Sequence, residues 1–217
     1  VQRNTLLGYR FLLAALVVVA TAAQFARSVL ELGFDPWNFF GYFTILSNLL
    51  GAYALVWGAV RFIRRSKPSA AYEVVRGSAT AALAIVGIVF GLLLSGIESD
   101  AVIPWVDTVH HVVMPIGIVL DWLLWAPDRR IAWRRSLPWL IYPLAFLAWT
   151  LVRGAVVGWY PYWFLDPADG GAAGGPGGVA LYSVGIAVGF FAVSALLVAI
   201  GNLLVARREK HPTRRPL

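Results

Sequence analysis

The stretch Val179–Val205, VALYSVGIAVGFFAVSALLVAIGNLLV, carries no charged residue and, wound as a helix, would be about 40 Å long. Crossing the hydrocarbon of a bilayer takes roughly 20 helical residues, so this stretch reads as a membrane-crossing helix. Five further segments reach that length, at about 6–27, 37–62, 73–97, 103–126 and 137–158. The chain is 59% hydrophobic and 13% charged, more apolar than a soluble domain of this size can hide in one core. Period-two alternation is absent and the segments are twice the length of a barrel strand, which excludes a lipid-facing barrel. The expected fold is all-α: one polytopic membrane domain over residues 1–217, a bundle of six transmembrane helices.

The charges orient that bundle. Of 18 Lys and Arg, all but Arg27 and Arg153 fall near the termini, in the 61–76 connection or in the 129–135 connection. In a six-span topology these lie on one side, so the positive-inside rule predicts cytoplasmic termini. Glu31, Asp35, Glu98, Asp100, Asp107, Asp166 and Asp169 belong to the external side. The basic stretches thus read as topology signals and contacts to anionic lipid, not as a nucleic-acid surface. Ala20-Thr21-Ala22 fits a signal-peptidase pattern, but the apolar run continues to Phe25, and a retained helix fits it better. The implied location is a membrane with the basic connections on its cytoplasmic side.

Several chemistries drop out early. With no cysteine there is no thiolate nucleophile, thiolate metal site or disulfide. His110 and His111 are adjacent and point about 100° apart on a helix, and His211 lies in the cytoplasmic tail, so neither a three-His zinc site nor a bis-His haem is expected. No cofactor is implied. The serine-protease glycine signature is missing around Ser95. Gly77, Ala81, Ala84, Gly87, Gly91 and Ser95 form a small-residue stripe for helix packing, as do Gly185 and Gly189.

The polar residues inside the apolar segments are few, and an ionisable group there is a functional candidate until a structural partner is found. The second segment places Thr44, Ser47, Asn48 and Gly51 on one stripe, and the fourth places Asp107, His110, His111 and Asp121 on one broad face. The fifth aligns Tyr142, Phe146, Trp149 and Arg153. Counting 1.5 Å per residue from Pro36 and Pro104 puts Thr44 and His111 at similar depth in the outer third, whereas Asp121 falls near the inner face and belongs to a structural cluster. A threonine hydroxyl needs an adjacent base to become a nucleophile, and histidine suits that role. Asp107, one turn above His111, is positioned to fix its tautomer; Asn48, Ser47 or Arg153 would steady a developing oxyanion. The bland readings stand beside these: Thr44 bonding the carbonyl of Phe40, histidines packed without function, Ser47 and Asn48 holding helices together. In the external segment 159–178, Trp159, Tyr160, Tyr162, Trp163 and Phe164 make an interfacial anchor or a flap over a site.

Together YFTILSN (42–48), HHVVMPIGIVLDWLLW (110–125), WLIYPLAFLAWTLVRG (139–154) and WYPYWFLDP (159–167) resemble the bacterial Pr-six-Pr membrane proteins over roughly residues 10–205. That family is distantly similar to the androgen-induced and androgen-dependent TFPI-regulating proteins, threonine hydrolases of fatty-acid esters of hydroxy fatty acids. The resemblance implies Thr44 as nucleophile and His111 as base, with His110 as the second choice because Val112 stands where the eukaryotic pattern has a threonine after the histidine. It implies a lipid ester as substrate, its acyl chain among Phe39, Phe40, Phe43, Met114 and Trp149, in a site lined by the second, fourth and fifth helices under the YPYWF loop. The competing function is a transporter or small-molecule receptor built on His111, Asp107 and Arg153. Membrane lipids are the implied surroundings, and the sequence sets no oligomeric state.

Overall fold

The computed structural model describes residues 3–96, 101–169 and 174–210, and their regular structure is helical throughout. Six helices are long and apolar enough to cross a membrane: Asn4–Glu31, Phe43–Ile63, Ala70–Leu94, Pro104–Leu124, Trp133–Val157 and Gly175–Lys210. They mark an integral membrane protein. Glu98, Asp100, His211, Arg214, Arg215 and residues 170–173 of the glycine-rich run lie outside the described residues.

The first span is α1 (Arg3–Phe25), prolonged by a π turn over Ala26–Glu31. The second differs from the continuous 37–62 helix expected. Asp35 caps a single turn, α2 (Pro36–Phe39), by accepting from the Asn38 N–H; Tyr42 is then extended (φ −82°, ψ 128°), and α3 runs Phe43–Ile63. The chain is tightly packed at the break: a Cβ on Gly41 would come within 2.9 Å of the Trp159 ring. Its 21 residues still let α3 cross the hydrocarbon alone, so Phe43 and Thr44 sit at a helix start near one boundary of the hydrocarbon.

Ser69 caps α4 (Ala70–Val89), which ends in a π turn, Phe90–Leu94. The fourth span is composite: α5 (Pro104–Thr108), a π turn Val109–Val113, and α6 (Met114–Leu124). Pro115 explains the middle piece. It has no N–H to donate and its ring crowds the carbonyl four residues back, that of His111, so the chain widens by one residue per turn there. The freed carbonyl is accommodated by Gly87 of α4, whose added Cβ would stand 3.5 Å from it. The fifth span enters through two 3₁₀ turns into α7 (Ile141–Val157), stopped by Gly158 at φ 68°. Last comes α8 (Gly175–Lys210), about 54 Å long and therefore extending well beyond the hydrocarbon.

Helix α4 is the centre of the bundle, with Ala79, Ala81, Ala82 and Leu83 fully enclosed. Small residues let neighbours approach. A Cβ on Gly77 would lie 2.1 Å from the buried Trp139 indole, so Gly77→Ala should destabilise the protein by about 1–3 kcal/mol through overpacking, measured by unfolding in detergent. By contrast α7 lies at the edge of the bundle: only 11% of its span's most apolar window is buried within the chain, and Trp149, Val152 and Val156 face outward.

Near the C-terminal end of α6, Asp121 is almost wholly enclosed and receives two arginines. Arg10 of α1 donates to it at 2.6 and 3.1 Å, and Arg76 of α4 at 2.8 and 3.1 Å. Arg76 also donates to the carbonyls of Asp121 and Trp125 and lies over the Trp122 ring. This cluster ties three helices together and accounts for the Asp121 charge without chemistry.

Candidate functional site

Thr44 lies in the first turn of α3, where backbone N–H groups have no carbonyl of their own helix to meet. The phenol of Tyr162, from the connection between the fifth and sixth spans, accepts the Thr44 N–H at 3.3 Å. Because Phe40 precedes the helix start, its carbonyl belongs to a turn, and the expected back-bond from Thr44 is replaced by this tertiary contact. Burial, the largest influence, pushes the Tyr162 phenol up to about 12, so it stays neutral and keeps its proton at ordinary pH.

The two histidines turn to different neighbours. His110, 3% exposed, places Nε2 3.0 Å from the Thr21 hydroxyl of α1. His111 places Nδ1 2.9 Å from Asp107 Oδ1, one turn above, and stacks flat on Phe90 with centroids 4.0 Å apart. Neither imidazole is hydrogen-bonded to Thr44. Helix α3 turns its first residues toward α7 and α8, while the π turn aims one ring at α1 and the other at α4. His110 is nonetheless the one linked to the threonine: the Asn48 amide donates to the Thr44 carbonyl at 2.9 Å and to the His110 carbonyl at 3.2 Å. The Asn48 Oδ1 is buried with no partner.

Of the other candidates, Ser47 shares a hydrogen bond of 3.0 Å with the Tyr142 hydroxyl of α7. Arg153 donates to Asn38 at 2.7 Å and covers the Trp159 ring. Tyr160 fills the space left by Gly154, where a Cβ would be 2.1 Å from its ring. Trp159 also packs edge-on against Phe34 and Tyr42. The connection over residues 159–169 is thus folded down onto α2, α3 and α7, with its own Phe164 and Leu165 buried.

Under that segment lies a cavity of about 900 Å³, counting its open side. Thr44 and Tyr162 stand on its wall with Ser183 of α8; the rest is apolar, chiefly Phe43, Val89, Leu147, Ile186 and Phe190. The walls are α3, α4, α7, α8 and the connection carrying Tyr162, Phe164 and Leu165, so the third and sixth spans take the place expected of the fourth. Of the residues expected around an acyl chain only Phe43 lines it. Phe39 is buried against Phe25 and Phe40, Met114 fills the core beside Gly51, and Trp149 faces outward. No trio of His, Cys, Asp or Glu among the described residues is placed to hold a metal ion.

Two polar residues of interest escaped the sequence. Thr21 was visible only as part of a cleavage-like pattern, and its pairing with His110 depends on the packing of α1 against the π turn. Ser183 sits in an apolar run, and its unpaired Oγ becomes apparent only once the cavity is traced. Comparison with protein-family models, with curated proteins and with solved structures finds no match to this chain.

Proposed function

We propose that this protein is a membrane-embedded hydrolase of a lipid ester, with Thr44 as nucleophile. The observation that carries the reading is a hydroxyl at a helix start on the wall of an otherwise apolar cavity, with a neutral phenol beside it. An acyl chain fits the apolar walls, and the helix start and phenol favour negative charge developing on a carbonyl oxygen. In the reaction, Thr44 Oγ1 attacks the ester carbon, the alcohol leaves with a proton, and water then cleaves the acyl-threonine to release the acid. His110 serves as base in this reading, because Asn48 ties its turn to that of Thr44; its ring must exchange Thr21 for Thr44 when substrate enters. The resemblance to the threonine hydrolases supports the same pair of residue types and suggests fatty-acid esters of hydroxy fatty acids as the substrate class. Cytoplasmic termini, on the charge asymmetry of the connections, and a bacterial inner membrane, on the resemblance to the bacterial family, complete the proposal.

The decisive measurement is labelling of purified protein by a long-chain fluorophosphonate. Labelling of wild type and its loss in Thr44→Ala is expected; labelling that persists in Thr44→Ala removes the nucleophile. One observation favours a second reading, a receptor or carrier that binds without cleaving: both imidazoles already have other partners. Proton-coupled uptake into liposomes, abolished by His111→Ala and retained in Thr44→Ala, is the result that reading requires.

A further inference from the structure

The cavity has an open side, and the exposure of its walls locates it. Of the described residues that line it, Leu144 of α7 and Ala187 of α8 are exposed, and the others are buried or half-buried. Each stands at the edge of its helix: Pro143 and Ile186 beside them line the cavity, whereas Ala145 and Val188 on the other side face outward. The seam between the two helices is filled to either side of this pair. Leu151 of α7 and Tyr182 of α8 pack against Phe164 and Leu165 of the connection. In the opposite direction Trp133, where the fifth span begins, meets Phe191 of α8 edge-on at 5.3 Å. Leu144 and Ala187 lie between those two contacts and form the lips of a gap.

The position of the lips along their spans decides what meets them. Leu144 stands nine residues from Arg135 and nine from Arg153, and Ala187 eighteen from Asp169 and twenty from Arg207. Nine residues of α-helix cover about 13 Å, and of 3₁₀ helix more, so the gap faces hydrocarbon and stands clear of headgroups and water. The molecule outside it is therefore the acyl chain of a neighbouring lipid. A chain that moves from the bilayer to apolar walls gives up no hydration, whereas a hydrated molecule would first have to shed its water to reach this depth. Behind the lips, Ile85 and Val86 of α4 and Phe190 of α8 line the cavity and are almost wholly buried. Lipid that only coats the outside of the bundle does not touch them.

We infer that the gap between Leu144 and Ala187 is a lateral portal that admits one acyl chain of a bilayer lipid, so that a ligand reaches the cavity from the membrane and not from water. This rests on the reading of the cavity as a lipid site but not on hydrolysis. The test places the protein in phosphatidylcholine liposomes in which part of the lipid carries a diazirine midway along one chain, a probe that stays in the bilayer. Crosslinks formed on irradiation are mapped by mass spectrometry. In wild type they should fall on Ile85, Val86 or Phe190 as well as on the outward Val152 and Val184. Ala187→Trp should lower the crosslinks at the three buried residues about 5-fold or more relative to those at Val152 and Val184, because an indole fills the gap that a methyl group leaves open. The chain has no cysteine, so a Leu144→Cys and Ala187→Cys pair can be bridged by a bis-methanethiosulfonate and released by a reductant. Bridging should lower the same crosslinks, and reduction should restore them in the same folded protein. Crosslinks confined to the outward residues of wild type overturn the inference, as do buried-residue crosslinks unchanged in both Ala187→Trp and the bridged protein. A failed fluorophosphonate reaction with the buried crosslinks present removes hydrolysis and leaves the portal; the reverse pattern removes the portal and leaves hydrolysis.

Discussion

Asp121→Asn is expected to destabilise the protein by about 3–5 kcal/mol, more than any substitution of comparable size elsewhere in the bundle. The side chain keeps its shape, so no cavity opens; what disappears is the single carboxylate between two enclosed guanidinium groups. In the native cluster two positive charges share one negative charge, and the variant leaves both uncompensated. Arg76 retains the carbonyls of Asp121 and Trp125 as acceptors. Arg10, whose hydrogen bonds both go to Asp121, suffers more. Adding Arg10→Met to Asp121→Asn should therefore recover part of the loss, and the double-mutant cycle separates the pair energy from the cost of a stranded charge. Unfolding by denaturing detergent, followed by circular dichroism, supplies the measurement. A loss below about 1 kcal/mol in the single variant would mean that water or lipid reaches the cluster and solvates it.

The number and approximate positions of the spans could be read from the sequence because each depends on length and hydropathy, which are local. Asp121 was separable from the other polar residues for a similar reason: depth follows from counting residues along a helix. Azimuth does not follow so simply. A steady 100° per residue assigns Asp107, His110, His111 and Asp121 to one face, but the π turn at Val109–Val113 resets the phase below it, and that turn answers a packing demand between Pro115 and Gly87. In the second span the helix was expected to run through Phe40 and Tyr42. The break lies where Gly41 packs against Trp159, more than a hundred residues away in the chain. Moving the helix start to Phe43 changes Thr44 from a mid-helix hydroxyl bonded to its own backbone into a first-turn residue bonded to Tyr162. The participation of α8 was illegible for another reason: its apolar residues look alike from every side, and only the seating of α7 at the edge of the bundle shows which stripe meets a cavity.

Replacing Thr44 by alanine is expected to lower turnover of a long-chain neutral ester by more than about 100-fold, while Thr44→Ser retains measurable activity because the attacking oxygen is still present. The two histidines should separate cleanly. His110→Ala removes the base tied to the Thr44 turn and should cost about 10²–10⁴-fold, whereas His111→Ala, which unseats a ring held by Asp107 and Phe90, should act mainly through modest loss of stability. Tyr162→Phe keeps the aromatic packing against Tyr42 and Phe164 and deletes one neutral hydrogen bond, an effect nearer 10-fold. The phenol, pushed up to about 12, is protonated throughout the range from pH 6 to 9, so Tyr162→Phe should scale the pH–rate profile in that range without changing its shape. Its raised value favours the neutral form in the folded state. That contribution to stability is complete below the ordinary tyrosine value near 10 and fades as pH climbs from there toward 12. Steady-state rates in mixed micelles, with unfolding curves for each variant to show that it is folded, decide the matter. If His111→Ala falls as far as Thr44→Ala while His110→Ala stays active, the base is the Asp107-held imidazole, and the Asn48 bridge is only a helix-packing contact.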